Sequence, residues 1–294
     1  MQRSKSLVVV LCASVIALTG CAKLQSRDQM NQGVQAYKNN KYADAVKHFK
    51  EAVRLDPSNQ NAQLYLATSY MIQWVPGADS PDNEKSYDMA KQEFDKVLQK
   101  DPKNSLALAS MASMAYNSAS SGTQDQKMAA LESAKKWNER RIEVDPKDSE
   151  AFYYLGVIDW AEAFTPIQTA RVNAKMKPDD PGPLRDASAP PEKKGRGKKV
   201  SQNTGESDVK NELKTKYWDT IQQGLDDLKK CLAIDPENED AMSYMNLLLR
   251  EKAVLEDSPE AAKADVAQAE DWSNKSLDMK RIKASRPQKS TAAS

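Results

Sequence analysis

Histidine is almost missing from this 294-residue chain. Only His48 is present, and with three cysteines it leaves little material for a protein-built metal site. His48 stands between Lys47 and Phe49 on a helical pattern, where a packed or solvated histidine is expected. Aromatic residues are sparse at 6%, and the hydrophobic fraction of 39% is lean for one compact core. That composition suits stacked units, each touching only its neighbours and leaving much surface wet. An excess of charge is missing too. Forty-three basic and 42 acidic residues give a formal net charge of +1, so no global field favours nucleic acid or an acidic substrate. No serine sits in a Gly-x-Ser-x-Gly elbow, and no Gly-x-x-x-x-Gly-Lys loop occurs. The acidic pairs Asp179-Asp180 and Asp226-Asp227 are adjacent residues, which do not face each other on a helix, and read as solvated. The chain is expected to be no enzyme, with no cofactor and no metal.

Long apolar runs are confined to the start. Met1 to Gly20 opens with Arg3 and Lys5 and continues as LVVVLCASVIAL from Leu7 to Leu18. A basic n-region before a short apolar h-region has the form of a secretory signal, and the run is short for a membrane span. Leu18-Thr19-Gly20-Cys21 then resembles a bacterial lipobox. The resemblance implies cleavage before Cys21, a thioether-linked diacylglycerol on it and acylation of its new amino group. The other reading is an ordinary secretory signal with an incidental cysteine. Ala22 after the cysteine leans, by the same resemblance, toward the outer membrane with the chain facing the periplasm. Cys12 leaves with the signal and Cys21 is lipidated, so Cys231 remains alone and no intrachain disulfide can form.

Repetition organises the rest. The stretch QGVQAYKNNKYADAVKHFKEAVRLDP from Gln32 to Pro57 holds two helical patterns meeting at Asn39-Asn40-Lys41. Tyr42, Ala45, Val46, Phe49, Ala52 and Val53 recur at helical spacing, and Pro57 stops the second helix. Small residues (Gly33, Ala45, Ala52) lie where two helices approach, and Tyr37, Tyr42 and Phe49 fill the spaces between. One such hairpin cannot bury its own apolar face, so neighbours must stack on it. The pattern resembles the tetratricopeptide repeat, a helix–turn–helix unit of about 34 residues.

Asp-Pro pairs recur at 56–57, 101–102, 145–146 and 235–236, farther apart than that period, so residues are inserted within the units. Ala90 and Phe94 repeat Ala45 and Phe49. In the third unit Ala134 keeps its place but Asn138 replaces the aromatic. The fourth unit opens with AFYYLGVIDW, and Gly224, Leu228 and Cys231 of its distant partner helix take the places of Ala45, Phe49 and Ala52. Between them lies an insertion, 164–216. Its first part, FTPIQTARVNAKMK, continues or re-starts a helix. Residues 178–206, rich in proline, glycine, lysine and serine, are expected to stay disordered. A more polar fifth pair, the second helix opening at Ser-Pro-Glu, caps the array. The expected fold is all-α: a right-handed solenoid of about five helix pairs over 21–283, with a disordered tail at 284–294.

In the family resembled, the first helix of each pair lines an inner groove. The equivalent positions are Val34, Tyr37 and Lys38; Thr68, Met71 and Ile72; Ser113, Tyr116 and Asn117; Tyr153, Val157 and Trp160; Leu247 and Arg250. Tyr37, Met71, Tyr116 and Trp160 correspond from unit to unit and are expected to form an apolar stripe. Such side chains anchor interfaces, or else pack against the next helix or the inserts. The lysine and asparagine set by which some family members clamp a peptide carboxylate is absent, with Met30 and Val34 in places where that clamp has polar donors. The basic run Glu192 to Lys199 lacks interleaved aromatics for base stacking and reads as a solvated linker or a contact with an anionic surface. The resemblance implies a lipid-anchored scaffold holding a protein or peptide in its groove, an assembly or secretion accessory of the envelope. The alternative is a binder or processor of envelope polymers that uses the insertion.

Overall fold

The computed structural model describes residues 21–177, 180, 182–184 and 206–286. The expected signal (1–20), most of 178–206 and the tail from 287 lie outside the described residues. Those described form ten helices and no strand. They are α1 (21–38), α2 (Tyr42–Leu55), α3 (Gln60–Gln73), α4 (Pro81–Lys100), α5 (Ser105–Ser118), α6 (Gln124–Val144), α7 (Ser149–Asn173), α8 (Glu206–Ile234), α9 (Glu239–Val254) and α10 (Pro259–Ser285). Two compact units divide between Trp137 and Asn138. None of the helices is long and apolar enough to cross a membrane.

Each Asp-Pro pair builds the same turn. The aspartate N–H closes the preceding helix on a carbonyl four residues back: Asp56 on Ala52 (3.0 Å), Asp101 on Val97, Asp145 on Arg141 and Asp235 on Cys231 (2.8 Å each). Its side chain accepts from the N–H of the residue after the proline, at 3.1 Å for Ser58, 3.2 Å for Lys103, 2.9 Å for Lys147 and 3.1 Å for Glu237. The proline cannot continue the helix because its ring removes a donor and clashes with the turn before. Two residues past it stands an Asn or Asp whose side chain caps the next helix. Asn59, Asn104, Asp148 and Asn238 accept from the N–H groups of Ala62, Ala107, Ala151 and Ala241 at 2.8–3.1 Å. Those four alanines are fully buried. One short motif therefore stops a helix, starts the next and sets a small residue where the new helix meets its neighbours.

In the first unit α2 packs on α3, α3 on α4, and α5 on α3 and α4. Gly33 of α1 lies so near Phe49 of α2 that a Cβ added there would sit 2.6 Å from the ring. Ala45, Phe49 and Ala52 are fully buried, as are Ala90 and Phe94 of α4. A buried polar pair fastens α3 to α4: the Gln63 amide donates to Glu93, whose other oxygen takes Lys96 Nζ at 2.8 Å.

The second unit explains Asn138. This residue and Arg141 are both buried, and the guanidinium donates to Asn138 Oδ1 (3.2 Å), to both Asp148 oxygens (2.9 and 3.1 Å) and to Glu150 (2.6 Å). The aromatic has been exchanged for a partner to a buried arginine, and Asp148 serves as both cap and counter-ion.

Further along, α7 packs on α8 and on α9, and α9 on α8 and α10. α7 runs unbroken through Pro166 for 25 residues. A mid-helix proline costs about 3 kcal/mol, which burial of Ala163, Ile167 and Ala170 offsets. α8 begins at Glu206, well before the expected Tyr217. The helices thus absorb both ends of the insertion. Part of the stretch expected to be disordered is packed instead. Leu184 is buried, its N–H donates to Val254 O at 2.8 Å, and Arg171 Nη2 donates to the carbonyls of Lys177 and Asp180 at 3.1 Å each. One buried leucine, one backbone bond and two guanidinium-to-carbonyl bonds supply what the polar composition did not promise. Likewise α10 carries helix to Ser285, and Arg286 grips Glu237 with two bonds of 2.7 Å.

The tightest crossing is between α7 and α8. A Cβ on Gly156 would lie 2.5 Å from Leu228 Cγ, and one on Gly224 would lie 2.9 Å from both Asp159 Cβ and Leu248 Cδ1. Gly156→Ala should therefore destabilise the chain by about 1–3 kcal/mol through overpacking. Urea unfolding would read this as a lower midpoint; an unchanged midpoint would mean that the two helices have room to part.

Candidate functional site

The surface expected to bind is carried by the first helix of each pair. In the first unit these are α1, α3 and α5. Every large apolar side chain of this unit that is exposed among the described residues lies on them or just past them: Leu24, Tyr65, Ile72, Val75 and Leu106. On α2, by contrast, the outward residues are charged and tie to one another, Lys47 to Asp44 (2.9 Å) and Arg54 to Glu51 (2.6 Å). In the first unit apolar exposure is thus sorted by helix type; in the second it is not, since Val209 and Ile234 of α8 and Leu277 and Ile282 of α10 are exposed as well as Phe164 and Val172 of α7.

Tyr37 is half-buried, its ring edge-on to Tyr42 (centroids 5.4 Å, 75°) and to Tyr65 (6.2 Å, 78°). Tyr65 stacks on the buried Phe49 at 5.3 Å and 21° while 38% of its surface stays exposed. The ring ladder from core to surface therefore passes through Tyr65, which the sequence reading did not single out. Met71 is half-buried and Ile72 exposed. Tyr116 and Asn117 are half-buried, with Asn117 Nδ2 donating to Ser113 Oγ at 3.2 Å. Lys38 is exposed.

In the second unit Tyr153 and Trp160 converge on one ring. Tyr244 of α9 takes Tyr153 edge-on at 5.8 Å and Trp160 edge-on at 5.5 Å, and Trp160 continues to Phe164 at 4.7 Å. Tyr154 closes the row against Tyr153 at 5.2 Å. Phe164 is 37% exposed. Val157, expected at the groove, is buried in the core: helical spacing puts it on the same face as Tyr153 and Trp160, and the packing covers it there. Arg250 is exposed, its Nε donating to Asn246 Oδ1 at 2.9 Å. Tyr65, Tyr154 and Tyr244 each follow a capped, buried alanine by three residues. That spacing in Ala62-x-x-Tyr65, Ala151-x-x-Tyr154 and Ala241-x-x-Tyr244 was the signal that could have found them.

The site offers packing surface more than reactivity. Burial pushes the hydroxyls of Tyr37, Tyr154 and Tyr244 above the usual tyrosine range, so none is poised as a base near neutrality. The Cys231 thiol is pushed up to about 12 by burial and then by Asp235, which makes it unreactive. His48 Nδ1 meets Gln29 Oε1 at 2.8 Å, the packed histidine expected. Asp226 is exposed and paired with Lys229. Asp227 departs from the expected solvation: it is buried, held by Gln223 and Lys230 at 3.0 and 2.9 Å. The two aspartates still point to different partners.

One buried acid is perturbed near neutrality. Glu251 of α9 is buried, its carboxyl accepting only from Gln168 of α7 among the bonds assigned to it (2.9 and 3.1 Å). Burial raises it to about 7, against the Gln168 bond and the charge of Arg171.

Residues 27–59 match the family model of the tetratricopeptide repeat. Among solved structures, the chain is similar to MamA (residues 41 to the end) from Desulfovibrio magneticus RS-1. The TM-score is 0.51 at 13% identity, over 89% of this chain and 98% of that one. The MamA RS-1 ArsTM double mutant gives 0.52 at 13% identity with the same coverage. YrrB, described as a TPR protein with an unusual peptide-binding site, gives 0.46 at 14% identity over 87% and 90%. No curated protein matches the chain in sequence. At such identities the likeness is one of fold.

Glu251 yields a pH test. Its folded-state proton affinity exceeds the unfolded one, so its contribution to stability is present below about pH 4.5 and is lost as pH rises through about 7. A shift of that size corresponds to about 3 kcal/mol. Glu251→Gln should therefore gain stability relative to the parent across this window, by up to that amount, in urea titrations at stepped pH. A constant difference would show that the carboxyl is hydrated in solution.

Proposed function

From a chain that carries a tetratricopeptide repeat at residues 27–59 and is built of that fold's helix pairs in both units, we propose a lipid-anchored scaffold of the bacterial envelope. It holds a protein or peptide on the first-helix faces. The observation that carries this reading is the placing of Tyr65, Ile72, Val75 and Leu106, exposed apolar side chains of the first unit, on or just past α3 and α5, with none on α2 or α4. Exposed apolar side chains confined to some helices of a unit favour a binding face there. Half-buried rings are suited to this work, because neighbours already fix them and little side-chain entropy remains to be lost on binding.

Attachment is the second part of the proposal. Leu18-Thr19-Gly20-Cys21 supports a diacylglycerol thioether on Cys21, and several acyl chains on one residue give stable anchoring at about 0.8 kcal/mol per buried methylene. The outer membrane, with the solenoid in the periplasm, is the location favoured by Ala22. The partner is a component of an envelope assembly or secretion machine.

A photo-crosslinking residue placed at Ile72 should capture a discrete partner in intact cells, while one at Lys47 on the charged face of α2 should not. Equal capture from both positions would remove the first-helix faces as the site. Cys21→Ser should leave an uncleaved precursor or release the protein from the membrane fraction; normal lipid labelling of that variant would refute the anchor.

A further inference from the structure

The anchor and the folded body are unusually close. Cys21 already belongs to α1, and Ser26, five residues on, is fully buried with its Oγ donating to Ala52 O at 2.8 Å. Five helical residues span about 7.5 Å, so no flexible tether separates Cys21 from the packed hairpin. Leu24, one turn from Cys21, is 70% exposed, with no described side chain covering it. Around it lie exposed Lys23 and Arg27. They are near enough to the α2–α3 turn that Asp56 feels both, its carboxyl being held below the ordinary value first by the Ser58 hydroxyl. Lys100, from the end of α4, reaches the same turn through Pro57 O. An apolar side chain beside an acylated residue, flanked by Lys23 and Arg27 with Asp28 one turn on, matches the chemistry of a phospholipid surface: hydrocarbon below, charged headgroups at the rim.

We infer that the Cys21 end of the first unit sits directly on the headgroup layer, with Leu24 dipping into it, so that α1 leads away from the bilayer. This rests on the lipid-anchor reading of Cys21, and it fixes which end of the unit faces the membrane. The Asn39–Lys41 turn at the far end of α1 then stands about 20 Å farther out along the helix.

The lipidated protein, reconstituted in vesicles of phosphatidylethanolamine and phosphatidylglycerol whose acyl chains are brominated near the headgroup, provides the test. Single cysteines replace Leu24 or Asn39, both exposed, and carry a thiol-linked fluorophore. Cys21 is acylated, and buried Cys231 is unreactive. Quenching several-fold stronger at position 24 than at position 39 is expected. Weak quenching at both sites in vesicle-bound protein would overturn the inference while leaving the anchor intact, since the body would then hang free. Equal strong quenching would overturn it as well, by laying α1 flat. Recovery of the parent protein away from the vesicles would sink the anchor and the inference together.

Discussion

The fold depends on how closely two helices can approach where they cross. Gly33 admits the Phe49 ring, Gly156 admits Leu228, and Gly224 admits Asp159 and Leu248. Without a Cβ the backbones close until the large partner side chain fills the gap, and dispersion contacts accumulate over the whole crossing. Gly in a helix costs roughly 1 kcal/mol relative to Ala. The close approach must outweigh that, which explains why glycine is spent at these crossings and scarcely elsewhere in the helices. Each crossing is local, between elements adjacent along the chain. A protein with few aromatics and no disulfide among its described residues can therefore be stable without gathering its apolar residues about one centre.

Small residues alone would let helix pairs slide, and the structure shows what stops them. The Asp-Pro-x-Asx turn ties the end of one helix to the start of the next through at least three hydrogen bonds, all made by side chains or N–H groups within seven residues. Because the cap and the buried alanine lie at fixed distances from the proline, each of the four helices started this way (α3, α5, α7 and α9) begins with the same face inward. Propagation along the chain is then a matter of repeating one turn. The second helices start otherwise, α2 after a polar turn at Asn39–Lys41, and α4 and α10 from Ser80-Pro81 and Ser258-Pro259 caps.

Much of this was legible in sequence because it is local. Helical spacing, the Asp-Pro stops and the Ala45–Phe49–Ala52 pattern are short-range signals, and they located all ten helices. What escaped is non-local. The insertion looked like unpaired linker by composition, yet Leu184 finds a place under Val254 seventy residues away, which no window of sequence contains. Asn138 looked like a flaw until Arg141 and Asp148 stood beside it. In the candidate site, Tyr37, Tyr153 and Trp160 were named from their repeat positions, but their ring partners Tyr65 and Tyr244 were not. Partnership is a property of two helices and was not readable from either alone. Of the expected series Tyr37–Met71–Tyr116–Trp160, Tyr37 lies beside Tyr65 in the first unit and Trp160 beside Tyr244 in the second.

Buried polar groups are costly, and several here have partners that fix how two elements meet. Gln63 with Glu93, Asn138 with Arg141 and Asp148, and Lys252 with Asp265 (2.7 and 2.8 Å) and Glu256 (2.9 Å) each join different helices or a helix and its cap. Replacing such pairs by hydrocarbon often leaves stability unchanged or raises it, so their value is not in net energy. An apolar contact between two rods tolerates a shift of one turn; a buried carboxylate facing its only donor does not. Glycine and alanine thus decide how near the helices come, while the buried charges decide at which height. Glu251 shows the limit of the device. Its amide partner cannot neutralise it, and the carboxyl keeps its proton up to about pH 7, so the interlock between α7 and α9 is best satisfied when that group is uncharged.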